Sequence, residues 1–126
     1  MYEAFTRGDI PAILDKLDTS VEWEAGGTAT DVPWLQARSG REGAAQFFSE
    51  LAALDFHTFR VRDVVELGSN RVIAVCDVEA TVRATGKRFV EPDELHLWVF
   101  NEGGLATSFK HRLDTHLQWK AFHGNE

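Results

Sequence analysis

The feature that most constrains this chain is a change of period at Phe56. From there onward, long runs rich in Val, Phe and Thr alternate apolar with polar residues. They break only at Gly68-Ser69-Asn70, Thr85-Gly86-Lys87 and Asn101-Glu102-Gly103-Gly104. A period of two sends successive side chains to opposite faces of a strand, and short Gly- and Asn-bearing breaks close hairpins. Four long antiparallel strands are therefore expected in the second half of the chain.

The residues before Phe56 follow another rhythm. Met1 to Arg7 ends at Gly8, a residue suited to the left-handed turn after a helix; Asp9 can cap a second helix that accepts Pro11 in its first turn. Ile10, Ile13, Leu14 and Leu17 fall on one helical stripe. Val21, Trp23 and Ala25 then alternate with Glu22 and Glu24, a short strand that stops at Gly26-Gly27. Thr28 to Arg38 reads as a loop anchored by Trp34 and Leu35 and placed to act as a lid. Ser39 with Glu42 has capping-box spacing, and Ala44, Phe47, Phe48, Leu51 and Ala52 predict a third helix over roughly Gly40 to Leu54. The expected fold is α+β: three N-terminal helices packed on a strongly curved, mostly antiparallel sheet, forming a cone with an internal pocket.

Composition closes off other classes. With 126 residues, one layered core is expected and the domain spans 1–126. A formal charge of -7 with no basic cluster argues against nucleic acid. No apolar run approaches the ~20 residues of a membrane span. The single cysteine, Cys76, and the lack of a signal-peptide pattern point to the cytoplasm. Neither a Gly-rich phosphate loop nor a Cys/His zinc spacing is present, so no cofactor and no metal are assigned.

Several motifs in order carry a resemblance: Tyr2-Glu3-Ala4-Phe5 with Gly8-Asp9-Ile10, Val21-Glu22-Trp23-Glu24, Gly40-Arg41-Glu42-Gly43 with Phe47-Phe48, Arg71-Val72-Ile73-Ala74-Val75, Leu95-His96-Leu97-Trp98, and Arg112-Leu113-Asp114-Thr115. Over nearly the whole chain this layout resembles the SnoaL-like branch of the nuclear-transport-factor-2-like superfamily. The resemblance implies a cone of three helices against a curved sheet. It does not imply one reaction, because the fold hosts isomerases, polyketide cyclases, epoxide hydrolases, dehydratases and non-catalytic modules. It also implies pairing through the convex side of the sheet, which would cover Leu95, Leu97 and Val99 in a homodimer.

Strand parity selects the candidate site. Glu94, His96, Trp98 and Phe100 share one face of their strand. By motif, His96 falls where SnoaL-type cyclases hold a functional histidine and ketosteroid isomerases an aspartic acid. His111 falls where cyclases and limonene-type epoxide hydrolases place a catalytic aspartate, a departure that histidine can bridge near neutral pH. If the Asn101–Gly104 turn sets Phe100 opposite Leu105, Glu94 faces His111 and raises its pKa. His96 is then the acid or oxyanion donor, His111 the base and Glu94 its orienter. Two histidines and a glutamate also suit a metal triad, but strands of unread register do not support one. Trp23, Ala25, Trp98, Phe100, Phe109 and Leu113 are expected in the pocket wall. Ala25 stands where ketosteroid isomerases hold their general-base aspartate, and their tyrosine position falls at Met1, which argues against that family's isomerisation. Asp114 reads as a structural hydrogen-bonding residue and Cys76 as an inert buried thiol. The function expected is cofactor-free acid/base catalysis on an apolar small molecule; the alternative is a non-catalytic ligand-binding or accessory dimeric module.

Overall fold

The computed structural model describes residues 1–24 and 31–124, so Ala25, the Gly26-Gly27 break and the start of the expected lid lie outside the described residues. The chain begins with α1 (Tyr2–Thr6) and α2 (Ile10–Leu14), then β1 (Leu17–Trp23), a 3-10 turn at Pro33–Leu35, β2 (Arg38–Ser39) and α3 (Gly40–Glu50). After a second 3-10 turn at Leu51–Ala53 come β3 (Leu54–Leu67), β4 (Arg71–Val82), β5 (Arg88–Phe100), β6 (Ala106–Arg112) and α4 (Thr115–His123). The strands form one open, curved sheet in the order β2-β1-β6-β5-β4-β3. All neighbours are antiparallel except β1 and β6, which run parallel.

Local chemistry accounts for most boundaries. Gly8 takes φ +71°, ending α1 in the left-handed region, and Asp9 caps α2 by accepting the Ala12 N–H at 3.2 Å. The hairpin breaks fall where expected. Three features differ. Leu17 leaves the helical stripe to open β1, because α2 stops after five residues and Leu17 pairs with Ala106. The Ser39 hydroxyl donates to Glu22 rather than capping α3, since β2 holds Ser39 against β1. A fourth helix, α4, follows the last strand. Its N-cap is Asp114, whose carboxylate accepts the Leu117 N–H at 3.0 Å, the structural use expected of that residue.

Curvature comes from β-bulges, which place extra residues in one strand of a pair and bend it. They occur between β3 and β4 at Phe56/Thr58 and Val61/Asp63, between β4 and β5 at Cys76/Val78, and between β5 and β6 at Val99/Phe100. The inward face of β4 presents Ala74, Cys76, Val78, Ala80 and Val82, all buried and mostly small. That small-residue floor leaves room for the rings of β5, β6, α1 and α3 above it. On the outer face Leu95 is 38% exposed and Val90 53%. Among the described residues no helix is long and apolar enough to cross a membrane.

Candidate functional site

The concave side of the sheet encloses a cavity of about 90 Å³. Aromatic rings make most of its wall. Tyr2 and Phe5 enter from α1, Phe47 and Phe48 from α3, Trp23 from β1, Trp98 from β5 and Phe109 from β6. The rings interlock: Trp23 stacks on Phe109 at 4.3 Å between centroids, and Trp98 lies 4.6 Å from Phe109. Glu94, His96, His111 and Gln118 interrupt this apolar surface.

His96 is the centre of the polar set. Its Nδ1 lies 2.7 Å from the Tyr2 hydroxyl, and Trp98 Nε1 lies 2.8 Å from the same oxygen. An indole N–H can only donate, so the assignment that satisfies all three groups has Tyr2 accepting from Trp98 and donating to His96 Nδ1. The remaining proton of the neutral imidazole then sits on Nε2. That nitrogen faces the Glu94 carboxylate at 3.6 Å, beyond hydrogen-bond range. Neither group saturates the other, and both residues line the cavity. Burial raises the Tyr2 pKa, which keeps its hydroxyl protonated as a donor.

The register differs from the sequence expectation, with consequences for His111. The turn runs to Leu105, so Phe100 pairs with Ala106 rather than Leu105, and a bulge at Thr107 shifts the ladder by one more residue. Two one-residue offsets restore the parity, so the expected faces survive while every partner changes. His111 lies directly across from His96, and Glu94 approaches His96 instead. His111 gains no carboxylate partner within the site. Its pKa falls to about 4, because burial disfavours the charged ring and His96 adds to the effect; the expected rise is overturned. At neutral pH His111 is an uncharged polar group. Its Nε2, like Trp23 Nε1, is buried with no hydrogen-bond partner among the described residues.

Of the expected wall residues, Trp23, Trp98, Phe109 and Leu113 line the cavity. Phe100 does not; it lies beyond the bulge, partly buried against the core. Ala25 is outside the described residues. Cys76 is fully buried, with its thiol pushed up to about 12 by desolvation, as suits an inert residue.

Two groups escaped sequence reasoning. Tyr2 supplies a hydroxyl one residue beyond the position compared with a tyrosine. Glu91 is buried beside Glu94, although simple alternation from Glu94 would place it outside. The two residues Pro92 and Asp93 oppose the single Asp77 of β4, and this bulge turns both carboxylates inward. Glu91 accepts the Asp114 N–H at 2.9 Å and meets the Gln118 amide at 3.4 Å, while the Gln118 carbonyl accepts from Trp34 Nε1 at 2.7 Å. Burial and the nearby Glu94 raise the Glu91 pKa to about 7. Pro92 was the available signal, since proline within a strand belongs at edges and bulges. Among the described residues no three metal-ligating side chains converge.

Comparison with known proteins agrees with this architecture. The family model of the SnoaL-like domain matches residues 1–109. A nuclear-transport-factor-2-like protein of unknown function from Burkholderia pseudomallei superposes with a TM-score of 0.82 at 21% identity, covering 96% of this chain and 90% of that one. TerC, co-crystallised with polyporic acid, gives 0.81 at 23% identity over 97% and 92% of the two chains. A candidate polyketide cyclase from Xanthomonas campestris gives 0.73 at 20% identity over 96% and 90%. At such identities the likeness is one of fold. No curated protein matches the chain by sequence.

Proposed function

This chain belongs to the SnoaL-like domain family, and on that premise we propose that it is a small-molecule enzyme performing cofactor-free acid/base chemistry on an apolar, carbonyl-bearing cyclic compound. The observation that carries the reading is the line Tyr2–His96–Glu94, spaced at 2.7 and 3.6 Å inside an aromatic cavity. Glu94 takes a proton from carbon next to the carbonyl. His96 Nε2–H stabilises the developing oxygen charge, and Tyr2 holds the imidazole in the tautomer that makes this possible. An apolar surround strengthens each of these interactions relative to water. His111, neutral and opposite His96, offers a hydrogen bond to the ligand rather than acting as base. Trp23, Trp98, Phe109 and Leu113 hold the ring system.

The candidate polyketide cyclase from Xanthomonas campestris and the co-crystallisation of TerC with polyporic acid lend this reading support by analogy of fold. The test is hydrogen exchange at the acidic C–H of cyclic ketones such as 2-tetralone, followed by proton NMR in D2O. We expect exchange above the buffer rate, lost in Glu94→Gln and in His96→Gln. Ligand-induced shifts with no catalysed exchange would transfer the chain to the alternative, a non-catalytic binding module. We place the functional unit as a homodimer joined through Leu95, Leu97 and Val99, whose outward face the helices of the same chain do not cover. A cytoplasmic location suits its lone buried thiol.

A further inference from the structure

On β5, Glu94, His96 and Trp98 alternate with Leu95, Leu97 and Val99, and the second set is the more apolar. Hydrophobic burial alone would turn that second set inward, so the inward placement of Glu94 and His96 needs another cause. Before the bulge, Phe89 and Glu91 are buried; after it, Glu94, His96 and Trp98 are. Were the same residues paired with no bulge, alternation from Phe89 and Glu91 would carry Leu95 and Leu97 inside and turn Glu94 and His96 out. The bulge at Pro92–Asp93 thus decides whether the site exists.

The groups that hold the bulge lie on the outer face. Arg62 is itself the extra residue of the β3 bulge between Val61 and Asp63. Its guanidinium grips both carboxylate oxygens of Asp77 at 2.9 and 3.1 Å and also bonds Asp93. The Asp93 N–H in turn donates to Asp77 Oδ1 at 3.2 Å. Asp93 needs this support, because among the described residues it alone other than glycine has positive φ, at 60°. Asp63, 3.8 Å from Arg62, completes an acidic rim that would repel itself without the cation.

We propose that Arg62 is a positioning residue for the interior site: by clamping Asp77 and Asp93 from the convex side it fixes the bulge that points Glu94 and His96 into the cavity. The proposal rests on the Glu94–His96 reading for its functional meaning but not for its structural test. In Arg62→Gln, the cross-strand NOEs that report Cys76–Glu94 and Val78–Glu91 pairing should weaken or split. The His96 ring titration should move in the direction produced by Glu94→Gln, by at least half of that shift. Adding Asp93→Gly to Arg62→Gln should restore both readouts, since glycine adopts the left-handed backbone without support. This rescue separates geometry from charge, because the double variant also lacks the guanidinium.

Unchanged pairing NOEs in Arg62→Gln would overturn the proposal, and so would failure of the glycine rescue. If Arg62→Gln does not fold, Arg62→Lys, which keeps the charge without the two-pronged grip, carries the same comparison. If the NOEs respond but Glu94→Gln leaves the His96 titration unmoved, the clamp stands and the proposed Glu94–His96 chemistry falls.

Discussion

Replacing Glu91 by glutamine should reveal a slope of stability with pH that the wild-type protein conceals. Glu91 has its pKa raised from 4.5 to about 7, so its contribution to stability is fully present below about 4.5 and is lost as pH climbs towards 7. His111 has its pKa lowered from 6.5 to about 4, so its contribution is fully present above 6.5 and is lost as pH falls towards 4. Between 4.5 and 6.5 the folded chain keeps the proton on Glu91 and none on His111, while the unfolded chain does the reverse. For this pair the proton counts match and the slopes cancel. Glutamine keeps the acceptor for the Asp114 N–H but cannot ionise, leaving His111 uncompensated. Stability of Glu91→Gln relative to wild type should then rise with pH by roughly 1.4 kcal/mol per unit, about 3 kcal/mol across the window. His111→Phe should show the opposite slope and the double variant should be flat relative to wild type. Urea denaturation at several pH values between 4.5 and 6.5 measures this, and taking differences from wild type removes the other carboxylates. Parallel curves for wild type and both single variants would refute the buried, oppositely shifted pair.

Trp98→Phe removes the donor to the Tyr2 hydroxyl and should cost about 1–2 kcal/mol in urea denaturation, with a change in the His96 ring titration as its signature. Asp114→Ala removes the N-cap of α4 and should cost ~1 kcal/mol; an unchanged midpoint would show that α4 needs no cap. Leu97→Asp should give a monomer in sedimentation equilibrium where the wild type is dimeric, and a monomeric wild type at micromolar concentration would end the homodimer proposal. The Cys76 thiol should resist a disulfide reagent in the native protein and react promptly in urea, given its burial and a pKa near 12.

How much of the fold is legible in the sequence depends on which physical terms are local. The hairpins are readable because Gly68, Gly86 and Gly104 each take positive φ, a demand that few other residues meet. The inward face of β5 and β6 is readable because alternation survives an even number of offsets. The pairing of Glu94 is not readable. It depends on a bulge at Thr107 and a turn extended to Leu105, and those are settled by hydrogen bonds of Asn101 that composition does not announce. Glu91 is hidden by the same kind of event, with Pro92 its one visible trace. α4 carries its own signals in Asp114 before it and Gly124, at φ 74°, after it, but its apolar residues Leu117, Trp119 and Phe122 do not gather on one narrow stripe. Tyr2 cannot be placed at the site by any local argument, since its hydroxyl meets His96 across 94 residues of chain.

The parallel pairing of β1 with β6 has a consequence for how the molecule is made. Trp23 finds its strand partner at Phe109, and Leu17 at Ala106, so an early-synthesised strand waits for the last one before either is complete. β3, β4 and β5 can zip as successive hairpins while the ribosome still holds β6 and α4, whereas β1 has only the two residues of β2 beside it. Through that interval the aromatic face of Trp23 lacks Phe109 and the chain carries an unfilled sheet edge. Non-local closure of this sort slows folding and exposes sticky surface. A nascent chain halted before Phe109 should therefore bind a hydrophobic dye and remain protease-sensitive around β1, and release of the full chain should abolish both.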